Sequence, residues 1–430
     1  MNRHVTRLAA VGASLALLAA CGGGNAEEGS SEGPVKLRFQ SLAWQEQSIE
    51  ANKQIVKECN QKLDDVEVQY VQGDWGSVHD QLLTAFEGGD PPDIIHYEAA
   101  AIQVFAEGGY LADLEPLLSD EFQSGIPDDI WATVEYDEHG TIGAPFLVES
   151  RLPIANRTML EEAGVRVPTP EEPWTWDEFQ DAAKKLTDQD TYGVAWPLSS
   201  PANAVVTLSQ NFGGKYVAET DDGPAISVGE AELEVPTRIH EMLYQDKTAA
   251  PDAIGVSSTD ALPGFFEDKY AMVFGAIWLR QQMVEQAPKD FDWVTIPPLV
   301  GSEGQDQAVN PQILSIAAQS EHPEEAAAFI ECFLADENMA KLALGDWLVP
   351  TSEGALNAVE EMTGGEQGWD VAVASADALT SAPWRRTPGF QEWMDRVATP
   401  SLQRFFGDEI SAEELANQLE EGSDLLSESR

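Results

Sequence analysis

The sequence predicts an α/β protein of two domains. Short apolar runs with strand alternation interleave along the chain with segments of helical periodicity, which implies a sheet covered by helices on both faces. What remains after an N-terminal leader is too long for one ordinary core and suits two. No second long apolar run follows the leader, so the body is expected to be soluble.

The leader comes first. Arg3 and Arg7 precede the apolar stretch Leu8 to Ala20, and Leu18-Ala19-Ala20-Cys21 closes it with small residues just before Gly22-Gly23-Gly24. This is the pattern of a bacterial lipoprotein signal, and the stretch falls short of the about 20 apolar residues that a membrane span needs. Residues 1–20 are therefore read as a signal peptide and residues 21–34 as a flexible tether. Cys21 is read as the lipid-bearing start of the mature chain, holding the protein at the outer face of the cytoplasmic membrane.

In the body, Val35, Leu37 and Phe39 alternate as in a strand. Ile49, Ile55, Val56, Cys59 and Leu63 recur at helical spacing, and Val66, Val68 and Tyr70 alternate again, giving a β-α-β opening. Val78, Leu82 and Phe86 form another helix face that the turn Gly88-Gly89-Asp90-Pro91-Pro92 stops, and Asp93 to Tyr97 follows as a short buried strand. Thr175-Trp176-Asp177-Glu178 matches a capping box opening a helix that carries Phe179, Ala182, Ala183 and Leu186. Ala271 to Phe274 and Ile313 to Ala317 read as buried strands, Pro323 opens a helix, and Ile410 to Leu426 reads as one acidic amphipathic helix. No internal repeat is evident.

Composition excludes some functions. With 24 Lys and Arg against 75 Asp and Glu, the chain lacks the basic surface that counterion release from nucleic acid requires. Such dispersed acidity serves solubility and says little about a ligand. Of the three cysteines, Cys59 and Cys332 remain once Cys21 is assigned to lipid. They are either a disulfide pair in an oxidising compartment or two buried free thiols, since both sit in apolar helical patterns.

Catalytic and metal motifs are absent. The six histidines lack the spacing that sets two on one helix face for zinc, and there is no nucleophile elbow, phosphate loop or dinucleotide fingerprint. Asp188, Asp190, Tyr192 and Gly193 imitate the start of a calcium loop, but Ser199 stands where a bidentate Glu is needed, so a surface turn is expected. No cofactor, metal or catalytic residue is assigned. A glycosidase needs two carboxylates about 5 Å apart, a distance that sequence does not supply.

What the chain offers instead is aromatic side chains at expected strand ends and turns: Trp44, Trp75, Tyr97, Trp196, Trp278, Trp347 and Trp384. Flat rings suit the apolar faces of sugars, and loops at strand ends are where α/β sheets bind ligands. Polar partners stand beside them: Asp74 before Trp75, Glu149 and Arg151 after the apolar Ala144 to Val148, and Arg385 after Trp384. Carboxylates and guanidinium groups each hold two hydroxyls in fixed geometry, whereas for each ring or charge alone the bland alternative is core packing or a surface ion pair.

Taken in order, these segments resemble the extracellular solute-binding proteins of bacterial ABC sugar importers, a class that includes maltose-binding protein. The segment GGDPPDIIHYEAAAIQVFAEGGYLADLEPLL, residues 88–118, is similar to that family's PDI…FAE.G.L.DL.P block. Residues 142–187 resemble its crossover strand, with Ala155-Asn156-Arg157 in place of the usual Tyr-Asn-Lys, and its Thr-Trp-Asp-Glu helix start. Residues 265–283 resemble the strand and turn that deliver a ligand-stacking tryptophan, Ile313 to Thr351 the return into the first lobe, and PWRRTPGF, residues 383–390, a late aromatic or arginine contact.

The resemblance implies a two-lobed periplasmic-binding-protein fold of class II type, with a ligand cleft between lobes joined by crossover hinge strands. Lobe one would comprise residues 35–144 and 313–352, and lobe two residues 145–312 and 353–430. It places Trp44, Asp74 and Tyr97 at first-lobe contacts and Glu149, Trp196, Trp278 and Trp384 at second-lobe or hinge-side ones, with Arg151 and Arg385 as their neighbours. Two frequent polar contacts of the family fall near Ala99, Ala100 and Ala101, which are apolar here. The implied function is that of a lipid-anchored monomer, not an enzyme, that captures a disaccharide of the trehalose or maltose class, or an oligosaccharide, and passes it to ABC permease subunits. Rival readings are the same fold serving a glycerophosphodiester, a peptide or a polyamine, or a secreted glycosidase.

Overall fold

The computed structural model describes residues 33–136, 139–221 and 223–428; the signal segment and Cys21 lie outside them, as does the tether before Gly33. The β-α-β opening is formed by β1 (Val35–Ser41), α1 (Glu46–Lys62) and β2 (Val66–Gln72). After it come α2 (Val78–Gly88), which Gly89 ends in the left-handed region at φ 70°, β3 (Ile94–Glu98) and α3 (Ala99–Glu107).

These strands belong to a six-stranded sheet in the order Val349–Pro350, Ala144–Val148, Gln312–Ile316, β3, β1, β2. β1 runs parallel to both β2 and β3, while Gln312–Ile316 runs antiparallel to β3 and to Ala144–Val148. Leu37 and Phe39 on β1 are buried because alternate residues face the covering helices, and Phe39 meets Phe329 and Phe333 of the helix Pro323–Phe333 at 5.6 and 5.0 Å. Cys59 of α1 and Cys332 of that helix are joined by a disulfide, so of the two states left open by sequence the structure has the bridge.

A second, three-stranded antiparallel sheet sets Arg151–Asn156 between Met272–Ala276 and Trp293–Thr295. The chain therefore leaves the first sheet at Val148 and enters the second at Arg151, then returns to the first at Gln312. The two crossings are tied together. Gln307, fully buried, accepts from the Arg151 N–H at 2.7 Å and donates to the Arg151 carbonyl at 2.8 Å.

The second sheet anchors its own core of Trp176, Phe179, Trp196, Phe274, Trp393 and Phe405. The helix Trp176–Leu186 begins there with the expected capping box: Thr175 Oγ1 accepts from the Glu178 N–H and Glu178 accepts from the Thr175 N–H. The first core is not confined to its own sheet, because Leu262, Phe265, Leu279, Met283 and Trp369 join it. This architecture is the two-lobed periplasmic-binding-protein fold.

One expected element is broken. In place of a single helix from Ile410 to Leu426, the structure has Ala412–Glu420, a 3-10 turn Glu421–Ser423 and Asp424–Glu428. Trp393 causes the break: its indole N–H donates to the Leu419 carbonyl at 2.9 Å, and its ring lies so close to Gly422 that a Cβ there would come within 2.6 Å. Among the described residues no helix is long and apolar enough to cross a membrane.

Candidate functional site

The loops at the strand ends of both sheets converge on a cavity of about 230 Å3. β1 hands the chain to Trp44, β2 to Trp75 and β3 to Glu98; Glu149 lies in the first crossing and Asn310 in the second; Trp278 follows the strand Met272–Ala276. Asp346 and Leu348 enter from the end of the helix Asp336–Asp346, and Arg385 from the 3-10 turn Pro383–Arg386.

Three tryptophans give the cavity its apolar faces. Trp44 is 52% exposed, an unusual state for so large a ring, and it meets Trp278 edge to face at 5.9 Å between ring centroids. Trp75 packs on His96 at 5.6 Å and lies beside Tyr97 at 6.2 Å. His96 is held in one tautomer: its Nδ1 accepts from the Leu42 N–H at 3.0 Å, so Nε2 carries the proton toward Gln312 Oε1 at 2.9 Å. Burial lowers its pKa to about 4, and the ring is neutral.

Charged groups fill the spaces between the rings, and they are largely kept apart. Glu149 is spoken for, accepting from the Trp278 indole N–H at 2.8 Å and pairing with Arg151 at 2.5 Å. Arg385, 5% exposed, donates to the Ala308 carbonyl at 2.9 Å, to Thr207 Oγ1 at 3.2 Å and to Asn203 Oδ1 at 2.7 Å, while its Nε has no partner among the described residues. Glu98 accepts from Asn310 Nδ2 at 3.0 Å. Burial, reinforced by the nearby Glu149 charge, pushes the Glu98 carboxyl up to about 7, and burial pushes Asp346 up to about 7 as well. An arrangement of flat rings and separated hydrogen-bonding charges in a desolvated hollow can orient a polar ring-shaped ligand.

Of the residues singled out from sequence, Trp44, Trp75, Glu149, Trp278 and Arg385 line this cavity. Arg151 stands behind Glu149 and fixes it. Tyr97 faces a neighbouring hollow of about 530 Å3 between α3 and residues 389–396.

Four others are placed elsewhere, each for a local reason. Asp74 spends Oδ1 on the Gly76 N–H and the Ser77 hydroxyl, shaping the turn into α2. Trp196 is a core residue, 2% exposed, stacked against Phe274 at 4.1 Å and Trp176 at 6.1 Å. Trp384 packs on Tyr216 and Phe390 in the second core. Trp347 closes the helix Asp336–Asp346 in the left-handed region at φ 56°, and its ring turns onto Trp369 at 5.4 Å and the Arg280 guanidinium at 5.3 Å. Its chain neighbours Asp346 and Leu348, rather than its own ring, reach the cavity.

Sequence reasoning missed Glu98, Asn203, Thr207, Asn310, Gln312 and Asp346. Glu98 carried a readable signal, a carboxylate at the end of the apolar run 94–97, and Asp346 sits beside a tryptophan that had been singled out. Asn203 and Thr207 lie on a mostly buried helix, Pro201–Leu208, and carried no such signal.

Comparison with known proteins agrees with this geometry. Residues 43–340 match the family described as bacterial extracellular solute-binding protein. A Streptomyces antibioticus protein named as an uncharacterized lipoprotein in the oleD 5' region is 45% identical over 408 residues, spanning 94% of this chain and 89% of its own. The diacetylchitobiose binding protein DasA of Streptomyces coelicolor is 22% identical over 403 residues, covering 91% and 90%. Among solved structures, a cyclic α-maltosyl-1,6-maltose binding protein from Arthrobacter globiformis superposes with a TM-score of 0.77 at 17% identity, covering 92% of this chain and 100% of that one. With two lobes, a ring-lined cavity at their crossings and a family match across most of its length, the chain belongs to the bacterial extracellular solute-binding proteins, which bind their solute without converting it.

Proposed function

We propose that this protein captures a sugar, a disaccharide of the trehalose or maltose class or an oligosaccharide, and delivers it to ABC permease subunits in the membrane. The observation that carries this reading is the convergence of Trp44, Trp75 and Trp278 on one cavity whose charged groups are held apart by hydrogen bonds. Rings supply affinity through the apolar faces of a sugar, and carboxylate, guanidinium and amide groups fix its hydroxyls. That relatives named above bind diacetylchitobiose and a cyclic maltosyl-maltose supports a saccharide.

In this reading the lobes comprise residues 35–144 with 313–352, and 145–312 with 353–430, and they close on the ligand about the crossings. The closed form then presents both lobes to the permease in a single geometry. Cys21 carries the lipid that keeps the monomer at the extracellular face of the cytoplasmic membrane, a reading that the lipoprotein name of the Streptomyces antibioticus relative supports.

A thermal-shift screen of saccharides followed by calorimetry tests the proposal. A ligand present at 100 times its Kd adds about 2.7 kcal/mol to stability, and a micromolar Kd corresponds to about −8 kcal/mol. The expected result is a shift with at least one saccharide, recovered unchanged afterwards. A shift confined to peptides, polyamines or glycerophosphodiesters, or hydrolysis of the saccharide, would refute it.

A further inference from the structure

We infer that the saccharide this cavity takes carries a basic nitrogen, and that Glu98 and Asp346 receive its ammonium beside the tryptophan faces. The inference rests on the carbohydrate reading and narrows it to amino sugars.

Three carboxylates line the cavity against a single guanidinium, that of Arg385. Glu149 is satisfied by Arg151 and the Trp278 N–H. Arg385 is occupied by Asn203, Thr207 and a backbone carbonyl and forms no ion pair among the described residues. Glu98 has an amide donor but no ion-paired cation, and Asp346, 4% exposed, has none either. Asp346 thus faces the ligand space with no cation against it, and partly buried Glu98 has only the unpaired fields of Arg385 and of Arg151 to offset its charge.

Removing charge from water without a partner is costly, and both carboxyls answer by holding protons to about 7. A neutral sugar gives these carboxyls hydroxyl donors but no charge, so most of the cost of ionising them remains. An ammonium removes it, offering three N–H donors and a charge, and the faces of Trp44, Trp75 and Trp278 attract the same cation. The Nε of Arg385, buried and unpartnered, asks the ligand for an acceptor as well. A bare polyamine has no such oxygen; an amino sugar brings both an ammonium and hydroxyls.

The test is calorimetry on the full chain at neutral pH with matched pairs: trehalose, maltose and cellobiose against their amino-substituted counterparts. The expected result is that, in at least one pair, the amine binds about tenfold or more tightly than its neutral match. Carrying Glu98→Gln and Asp346→Asn together should reduce that preference to about threefold or less. The wild-type comparison stands by itself if the double variant folds poorly. Equal or tighter binding of the neutral member in every pair that binds overturns the inference and leaves the carbohydrate reading intact, as does a preference that survives both substitutions. Failure of every saccharide to bind overturns both.

Discussion

Replacing Trp278 by Ala is the sharpest test of the cavity, because its ring faces the ligand space while its N–H is committed to Glu149 at 2.8 Å. A tryptophan face laid on a sugar covers roughly 60–100 Å2, and at about 25 cal/mol per Å2 its loss costs about 1.5–2.5 kcal/mol of binding. Kd should rise about 10- to 70-fold. Glu149 keeps Arg151, so the truncation does not strand a buried charge, and the side chain is only partly buried at the start of the helix Leu279–Gln286. The fold should therefore survive, with the thermal midpoint within a few degrees of the wild type. Trp278→Phe helps separate the two contributions: it keeps a smaller ring face and loses the N–H, the latter at about 1 kcal/mol or roughly fivefold in Kd. Calorimetry with the saccharide identified in the screen reads all three proteins. An unchanged Kd for the Ala variant would refute stacking at this position, and a Phe variant as weak as the Ala variant would transfer the effect to the Glu149 hydrogen bond.

Other consequences are as direct. Burial raises the Asp346 carboxyl to about 7, so its contribution to stability is full below its unfolded pKa near about 4 and is lost as pH rises through about 7. Asp346→Asn should therefore stabilise the ligand-free protein at about pH 8 by on the order of a few kcal/mol and by much less at about pH 5, as measured by urea denaturation; equal effects at the two pH values would contradict this. The Cys59–Cys332 bridge spans 273 positions, for which chain entropy gives about 5–6 kcal/mol of stabilisation as an upper value. Calorimetric scans with and without reductant should differ by many degrees, and a coincident pair would show that the bridge does not staple the fold. Arg280 is fully buried and lies over Trp369 at 4.2 Å, so Arg280→Met, which keeps volume and removes a desolvated charge, should stay within about 1 kcal/mol of wild type, while Arg280→Ala should cost about 3 kcal/mol or more. Equal stability of the two variants would show that the guanidinium is not acting as packing.

The fold was largely legible because its signals are local. Alternation at Val35 to Phe39, the helical stripe from Ile49 to Leu63 and the capping box at Thr175 are each set within a few residues, and each forms where expected. The helix expected over Ile410 to Leu426 failed for a non-local reason, since the residue that breaks it, Trp393, lies outside that segment. The site divides in the same way. A tryptophan after a strand looks alike in sequence whether it faces a cavity, as Trp278 does, or stacks in a core, as Trp196 does, because what distinguishes them is the partner: Glu149 for the first, Phe274 for the second. Glu98 and Asp346 were hidden among 75 acidic residues, and only folding brings positions so far apart in the chain to one wall.

The lobe closure proposed above would be coupled to ligand through the ties between the two crossings. Glu149 sits in the first crossing and holds both Trp278 and Arg151; the backbone of Arg151 is in turn clamped at both N–H and carbonyl by Gln307, which belongs to the approach to the second crossing. Trp278 is thereby linked to both crossings through contacts of 2.5–2.8 Å. Trp44, on the loop after β1, meets that assembly edge to face at Trp278, 5.9 Å between ring centroids. In the proposed closure, a ligand seated between these two rings replaces their mutual contact with contacts to itself, so occupation of both faces is what would couple the ligand to the crossings.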